Sequence, residues 1–404
     1  MKRTTTILTI TLLVTASCGG SEQSTGDFIT VDVTNSYPKK ELILQDFMDV
    51  EYVALETTDE FLNEGIVLAV GKEIMLVGNR NFGNRTNDRD IFVYDRTGKG
   101  LRKINRLGRG PGEYTTFNEI TLDEENGEIF IIDPFKGILV YDLYGNFKRS
   151  FNPKGQTRLV HTYNYDKDHL ICLGASPFST TPVNFSSFLI ISKHDGSVIN
   201  DIQIPVIERT APLSVQIRTE NYGGWAMMDM TFFFHSLIPY HNDWILTEPS
   251  SDTVFRYQKD HSMRPFIVRT PPRQKMSHET LLFPGILTDH YYFMIVLKED
   301  IGAESPWPSI PNNPIMATTN LVYDMPERNL FTSTVYNGDY SDNREVSMFQ
   351  QSADNSEIAF WLKIDADKLV SDFKKGILKG KLKEIATELD EEDNPIIMLV
   401  KYKN

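Results

Sequence analysis

The stretch most suggestive of chemistry runs from Lys99 to Tyr114. Five cations, Lys99, Arg102, Lys103, Arg106 and Arg109, fall within eleven residues of a chain whose formal charge is −14. Crowded Lys and Arg side chains can line an anion-binding rim, and these five are the candidates for one. The competing reading is a solvated strand face balanced by acids elsewhere. The glycine-rich run Gly108-Arg109-Gly110-Pro111-Gly112-Glu113-Tyr114 overlaps the cations. A phosphate-gripping loop needs Gly-Lys-Ser/Thr opening a helix, and a dinucleotide fingerprint needs a strand–glycines–helix unit. Neither is present. The run reads instead as a tight turn between strand units, with glycines at φ > 0 and Glu113 or Tyr114 bonded to the neighbouring backbone.

Other constellations are sparser. The eight histidines form no HExxH pair; His161 and His169 are eight apart, His235 and His241 six. Metal ligands and cofactors are therefore not assigned, although a closed ring of strands could gather histidines from distant positions. Asp123-Glu124-Glu125-Asn126-Gly127-Glu128 lacks the alternating oxygens and closing Glu of a calcium loop and reads as an acidic turn. No GxSxG elbow occurs, and the 55 acids offer no ranked pair for glycoside chemistry. Catalytic residues are not assigned. Trp225 and Trp307 lie in Gly- or Pro-rich loops, where an exposed indole can stack on a sugar or pack on a partner. Cys172 sits in Leu170-Ile171-Cys172-Leu173 and reads as a buried core thiol.

The N-terminus carries an address. Lys2 and Arg3 precede the apolar run Ile7 to Val14, and the small pair Ala16-Ser17 precedes Cys18. That run is too short to span a bilayer. Residues 1–17 have the layout of a signal peptide, and the pattern resembles a bacterial lipoprotein signal in which Cys18 becomes the lipidated N-terminus. Thr15 stands where Leu is usual. Residues 18–27 (CGGSEQSTGD) suit a flexible tether. Loss of Lys2 and Arg3 makes the mature chain still more acidic, which argues against a nucleic-acid partner.

These residues need positioning elements. The 404-residue chain is 40 % hydrophobic and 24 % charged, as in a folded protein. Short apolar and β-branched runs, such as Ile91–Asp95, Ile129–Asp133, Ile138–Asp142, Phe188–Ser192 and Tyr291–Leu297, alternate with turn residues. Val93–Lys99 (VYDRTGK) repeats as Val140–Asn146 (VYDLYGN), more weakly as Ile191–Ser197, and in degenerate form as Val254–Ser262. Gly98, Gly145 and Gly196 are 47 and 51 residues apart, the period of a four-stranded propeller blade. About six such units fit between residues 45 and 365. Leu369, Phe373, Ile377, Leu382, Ile385 and Leu389 follow a helical period over about 366–391, with a break expected near Gly376 and Gly380. Ile396–Tyr402 reads as a closing strand and Phe28–Val33 as a strand outside the repeats.

Three separated segments carry a family resemblance. Val50–Gly65 (VEYVALETTDEFLNEG), Leu107–Tyr114 (LGRGPGEY) and Lys379–Tyr402 resemble, in the expected order, the six-bladed, NHL-like β-propeller lipoproteins of bacteria. The resemblance implies an all-β fold, a six-bladed β-propeller over 28–402 with a small C-terminal helical segment and closing strand. It also implies an extracytoplasmic place, in the Gram-negative envelope at the outer membrane. It carries over no catalytic residues. The expected function is a lipid-anchored binding or scaffold module for a glycan, peptide or envelope protein. The alternative is a metal-assisted hydrolase or lyase with a site at the channel mouth.

Overall fold

The computed structural model describes residues 28–79, 89–117, 119–153, 158–175, 187–206, 208, 212, 214–219, 224–229, 236–304, 314–350 and 357–403. Signal, tether and Cys18 fall outside them, as does Trp307; Trp225 is described in backbone only. The chain opens with β1 (Ile29–Asp32), β2 (Lys39–Ile43), a single turn α1 (Leu44–Phe47) and β3 (Met48–Ala54). Blade 1 comprises β4 (Ile66–Val70), β5 (Ile74–Gly78), β6 (Ile91–Asp95) and β7 (Gly100–Ile104). Blade 2 comprises β8 (Glu119–Asp123), β9 (Glu128–Asp133), β10 (Gly137–Asp142) and β11 (Phe147–Phe151). Blade 3 comprises β12 (Arg158–Asn164), β13 (His169–Ala175), β14 (Ser187–Ser192) and β15 (Val198–Ile202). An inserted hairpin, β16 (Ser214–Thr219) and β17 (Gly224–Asp229), precedes blade 4. Blade 4 runs β18 (Leu237–Tyr240), β19 (Asp243–Leu246), β20 (Thr253–Tyr257) and β21 (Met263–Thr270). Blade 5 runs β22 (Thr280–Leu287), β23 (Tyr291–Glu299), β24 (Ile315–Asp324) and β25 (Asn329–Tyr336). Blade 6 joins both ends of the chain: β26 (Ile358–Ile364) and β27 (Ile396–Tyr402) pair with β3.

The protein is thus a six-bladed β-propeller, as the 47- and 51-residue spacings imply. The repeated turn glycines occupy one place, the last hairpin of each blade. Gly98, Gly145 and Gly196 have φ of +88°, +81° and +71°. The degenerate copy keeps the left-handed conformation without the glycine, since His261 has φ +65°. Burial is organised between blades. Six apolar clusters fill the six junctions, from Leu76, Val93, Ile131 and Tyr141 between blades 1 and 2 round to Val53, Val77, Phe92 and Leu399 between blades 6 and 1. A residue on either face of a blade's middle strands is therefore in the core, which is why strands such as β5, β6, β9 and β10 read as near-continuous apolar runs while outer strands such as β7 and β11 do not.

Two expectations need correction. β1 is not outside the repeats: it adds in parallel to the outer strand β21, Ile29 opposite Ile267. β2 does the same on β25. The insertion after blade 3 is not simply a lengthened loop, because β16 pairs in parallel with β24 of blade 5 and Trp225, expected in a loop, lies in strand β17. The C-terminal helical segment breaks where expected, into α2 (Ala366–Lys374) and α3 (Gly380–Ala386). Gly376 and Gly380, at φ +72° and +53°, turn the chain between them. Leu369 and Leu382, fully buried, seat both helices on blades 5 and 6. No helix among the described residues is long and apolar enough to cross a membrane.

Candidate binding rim between blades 1 and 2

The glycine-rich run is the crossing from β7 to β8. It closes on itself: the N–H of Gly108 donates to the Tyr114 carbonyl (3.0 Å), and that of Tyr114 to the Arg106 carbonyl (3.0 Å). Tyr114 is fully buried between the two blades. Its hydroxyl accepts from the Arg106 N–H (3.1 Å) and donates to the Arg89 carbonyl (2.7 Å). Glu113 bonds within the loop, Oε2 accepting the Gly110 N–H at 2.8 Å. The expected positive φ is absent, since neither Gly108, Gly110 nor Gly112 adopts it. Space explains the glycines instead. A Cβ on Gly108 would lie 1.9 Å from Glu113 Oε2, and one on Gly112 would lie 2.8 Å from the Phe147 ring.

The β9–β10 hairpin of blade 2 docks beside this loop. Lys136 Nζ donates to the carbonyls of Gly110 (2.9 Å) and Glu113 (2.6 Å). Asp133, 1 % exposed, holds the two parts together. Its Oδ1 accepts the N–H groups of Phe135 (2.8 Å) and Lys136 (3.1 Å), while Oδ2 accepts the Thr115 N–H (2.7 Å) and hydroxyl (2.8 Å). Burial raises the pKa of this carboxyl, but the donors from Phe135, Thr115 and Thr116 outweigh it, and the group titrates below the usual range. The consequence is an aromatic ring that is fixed at its root yet bare: Phe135 is 82 % exposed. Arg109 is exposed one residue from Gly110 and makes no side-chain hydrogen bond or ion pair among the described residues. An exposed phenyl ring on a hydrogen-bonded turn and a guanidinium without a side-chain partner among the described residues therefore stand on one rim.

The five cations are not gathered into one surface. Lys103 lies opposite Phe92 and Arg102 opposite Val93, on alternate faces of β7. Lys103 pairs with Asp90 at 2.7 Å. Arg102 donates to the Leu143 carbonyl (3.1 Å) and lies 4.6 Å from the Tyr144 ring centroid. Arg106 Nε donates to the Gly145 carbonyl at 2.7 Å. Arg102 and Arg106 thus bind blade 1 to the last hairpin of blade 2. Exposed Lys99 stands at the edge of a cleft of about 540 Å³ floored by Leu55, Ile385 and Leu389 and rimmed by Glu56, Glu388 and Asp393. Sequence reasoning missed Phe135 and Asp133. The Asp-Pro-Phe-Lys-Gly turn signal was there, with its apolar residue at the hairpin tip.

A second polar seam lies between the inner strands of blades 2 and 3. His161 Nδ1 is 3.1 Å from Glu119 Oε2, and Glu119 Oε1 accepts the Thr162 N–H at 3.1 Å. His161 follows a β-bulge in β12, and its Nε2 is buried without a hydrogen-bond partner. Among the described residues no three His, Cys, Asp or Glu side chains form a metal-holding group. Cys172 is fully buried, which pushes its thiol pKa up.

Residues 28–401 match the model of a family described as a domain of unknown function, DUF4934. No curated protein matches the chain. A solved structure from Bacteroides fragilis, described provisionally as an exported protein, is 14 % identical with a TM-score of 0.54. The match covers 93 % of this chain and all of that one, and it supports the fold. Virginiamycin B lyase from Staphylococcus aureus is 11 % identical with a TM-score of 0.37, over 88 % of this chain and 100 % of that one. A DUF4623 family protein from Bacteroides eggerthii is 13 % identical with a TM-score of 0.33, over 88 % of this chain and 76 % of that one.

Proposed function

The chain belongs to the DUF4934 family of domains of unknown function, and we propose that it is a lipid-anchored, extracytoplasmic binding propeller that takes its ligand at the Arg109–Phe135 rim. The observation that carries this reading is Phe135. An apolar ring left bare on a tip that Asp133 and Lys136 hold rigid loses little entropy on binding, the property of a binding anchor. Arg109 beside it favours a ligand with an anionic group and an apolar face, such as an acidic glycan or acidic peptide. The Lys2-Arg3 start, the apolar run and Cys18 support lipidation and export. The exported description of the Bacteroides neighbour agrees with export.

A thermal-shift screen of acidic glycans and peptides tests the rim, because a ligand that binds only the folded state raises the melting temperature. A hit should shift the wild type and leave Phe135→Ala and Arg109→Ala unmoved, with all three melting alike when unliganded. A hit that shifts all three equally places binding elsewhere. The metal-assisted hydrolase or lyase reading draws its support from one pair, His161 and Glu119, which converge from neighbouring inner strands. Calorimetric titration with Zn²⁺ or Ca²⁺ tests it: heat lost in His161→Ala favours it, and no heat in the wild type discards it.

A further inference from the structure

The propeller's connectivity fixes where the tether leaves the ring relative to the rim. Successive hairpins of a meandering blade alternate between its two ends. The rim, built from the β9–β10 hairpin and the β7–β8 crossing, therefore lies on the end opposite the last hairpins at Gly98, Gly145, Gly196 and His261. β1 runs parallel to β21, with Ile29 opposite Ile267 and Asp32 opposite Thr270. β21 itself starts from the His261 hairpin and ends at the crossing to blade 5. The described chain therefore begins on the outer wall of blade 4, with β1 running away from the His261 end. In a ring of six, blade 4 stands three blades from blade 1 and two from blade 2, whose β9–β10 hairpin carries Phe135, so the rim lies well round the ring from it. The tether exit and the rim are thus separated both round the ring and from one end to the other.

From this placement we propose that the anchored protein holds the outer wall of blade 4, at its His261 end, against the lipid headgroups and presents the Arg109–Phe135 rim to the water. The rim's ligand is then a water-borne or opposing-surface molecule, and not a component of the membrane that carries the anchor. The proposal rests on the lipidation of Cys18 proposed above. Lengths decide it. Residues 18–27 extend to at most about 35 Å, and a flexible chain of that length averages about 17 Å end to end. A globular chain of this size has a radius of gyration of about 21 Å, so it is about 50 Å across. The tether is too short to lead round the body and lay the rim on the bilayer.

The test uses the full lipidated chain in phosphatidylglycerol–phosphatidylethanolamine vesicles with rhodamine-labelled headgroups. Lys259→Cys, exposed in the turn after β20, and Arg109→Cys each add one accessible thiol, because Cys18 is lipidated and Cys172 is fully buried. A donor dye should transfer energy to the headgroups at least about threefold more efficiently from position 259 than from position 109. Equal transfer, or greater transfer from position 109, overturns the orientation while leaving the anchor intact. Co-sedimentation separates the two ideas. If the wild type carries no acyl chain and stays in solution, the anchor reading fails and the orientation fails with it.

Discussion

Asp133 and Thr115 meet across the entry to the second blade, the Asp133 Oδ2 accepting both the N–H and the hydroxyl of Thr115 at 2.7 and 2.8 Å. The carboxylate's other oxygen roots the Phe135 turn. One buried acid therefore sets the geometry of the loop that carries Arg109 and of the tip that carries Phe135. Asp133→Asn keeps the shape but turns an amide NH₂ towards N–H donors. Left unsatisfied, these cost about 1–3 kcal/mol. Urea unfolding should show that loss, and ligand binding at the rim should weaken with it.

The same carboxyl predicts an acid dependence. Its folded pKa is depressed. Its contribution is then complete above the unfolded value of about 3.9 and is lost as the pH falls through the folded value. Wild type should lose stability below about pH 4 more steeply than Asp133→Asn. Parallel curves between pH 5 and pH 2.5 would show that other acids dominate.

The glycines should not be equivalent. Gly98 has φ +88°, and a Cβ there would lie 2.0 Å from the Ala54 carbonyl oxygen, a backbone atom of blade 6. Gly145 has φ +81° and would meet Ile104 at 2.6 Å. Gly112 has no positive φ, and its nearest neighbours would be side-chain atoms of Phe147, which is 41 % exposed, not backbone. Gly98→Ala should destabilise most and Gly145→Ala next, each by about 1–3 kcal/mol. Gly112→Ala should cost about 1 kcal/mol or less. Chemical denaturation of the three variants gives the order directly.

Blades 2 and 3 share a buried ion pair, Lys193 Nζ on Asp123 Oδ2 at 2.6 Å, with both side chains about 5 % exposed. Lys193 also donates to the Asp166 carbonyl at 2.8 Å. Lys193→Met should cost about 3–5 kcal/mol by stranding a buried carboxylate. Adding Asp123→Leu should recover most of it. A double variant as unstable as the single one would mean that the Asp166 contact, not the charge, is what matters.

Cys172, buried against blade 2 with its pKa raised, should resist thiol reagents in the native protein and react at once in 6 M urea. Fast native labelling would show that blades 2 and 3 open readily.

Much of the architecture was legible because it is periodic. VYDRTGK and VYDLYGN recur at blade spacing since each last hairpin needs the same left-handed turn and the same close approach to the preceding blade. The helical period of Leu369 to Leu389 and the closing strand at Ile396 were legible for the same reason: local pattern follows from which side is buried. The site was less legible. Five cations adjacent in sequence parted in space, because alternate residues of β7 face opposite ways and Arg102 and Arg106 turned to carbonyls of the next blade. Beyond its turn signal, Phe135 carries nothing in the sequence that sets it apart from a core aromatic, and only the fold shows it 82 % exposed at a hairpin tip. Composition and spacing determined the all-β ring and its repeat, since these depend on contacts within one blade. Only the tertiary structure decided where β1 and β2 dock, that Gly112 packs on Phe147, and that Arg102 and Arg106 turn to the next blade. Those depend on contacts between residues tens to hundreds of positions apart, which no local pattern encodes.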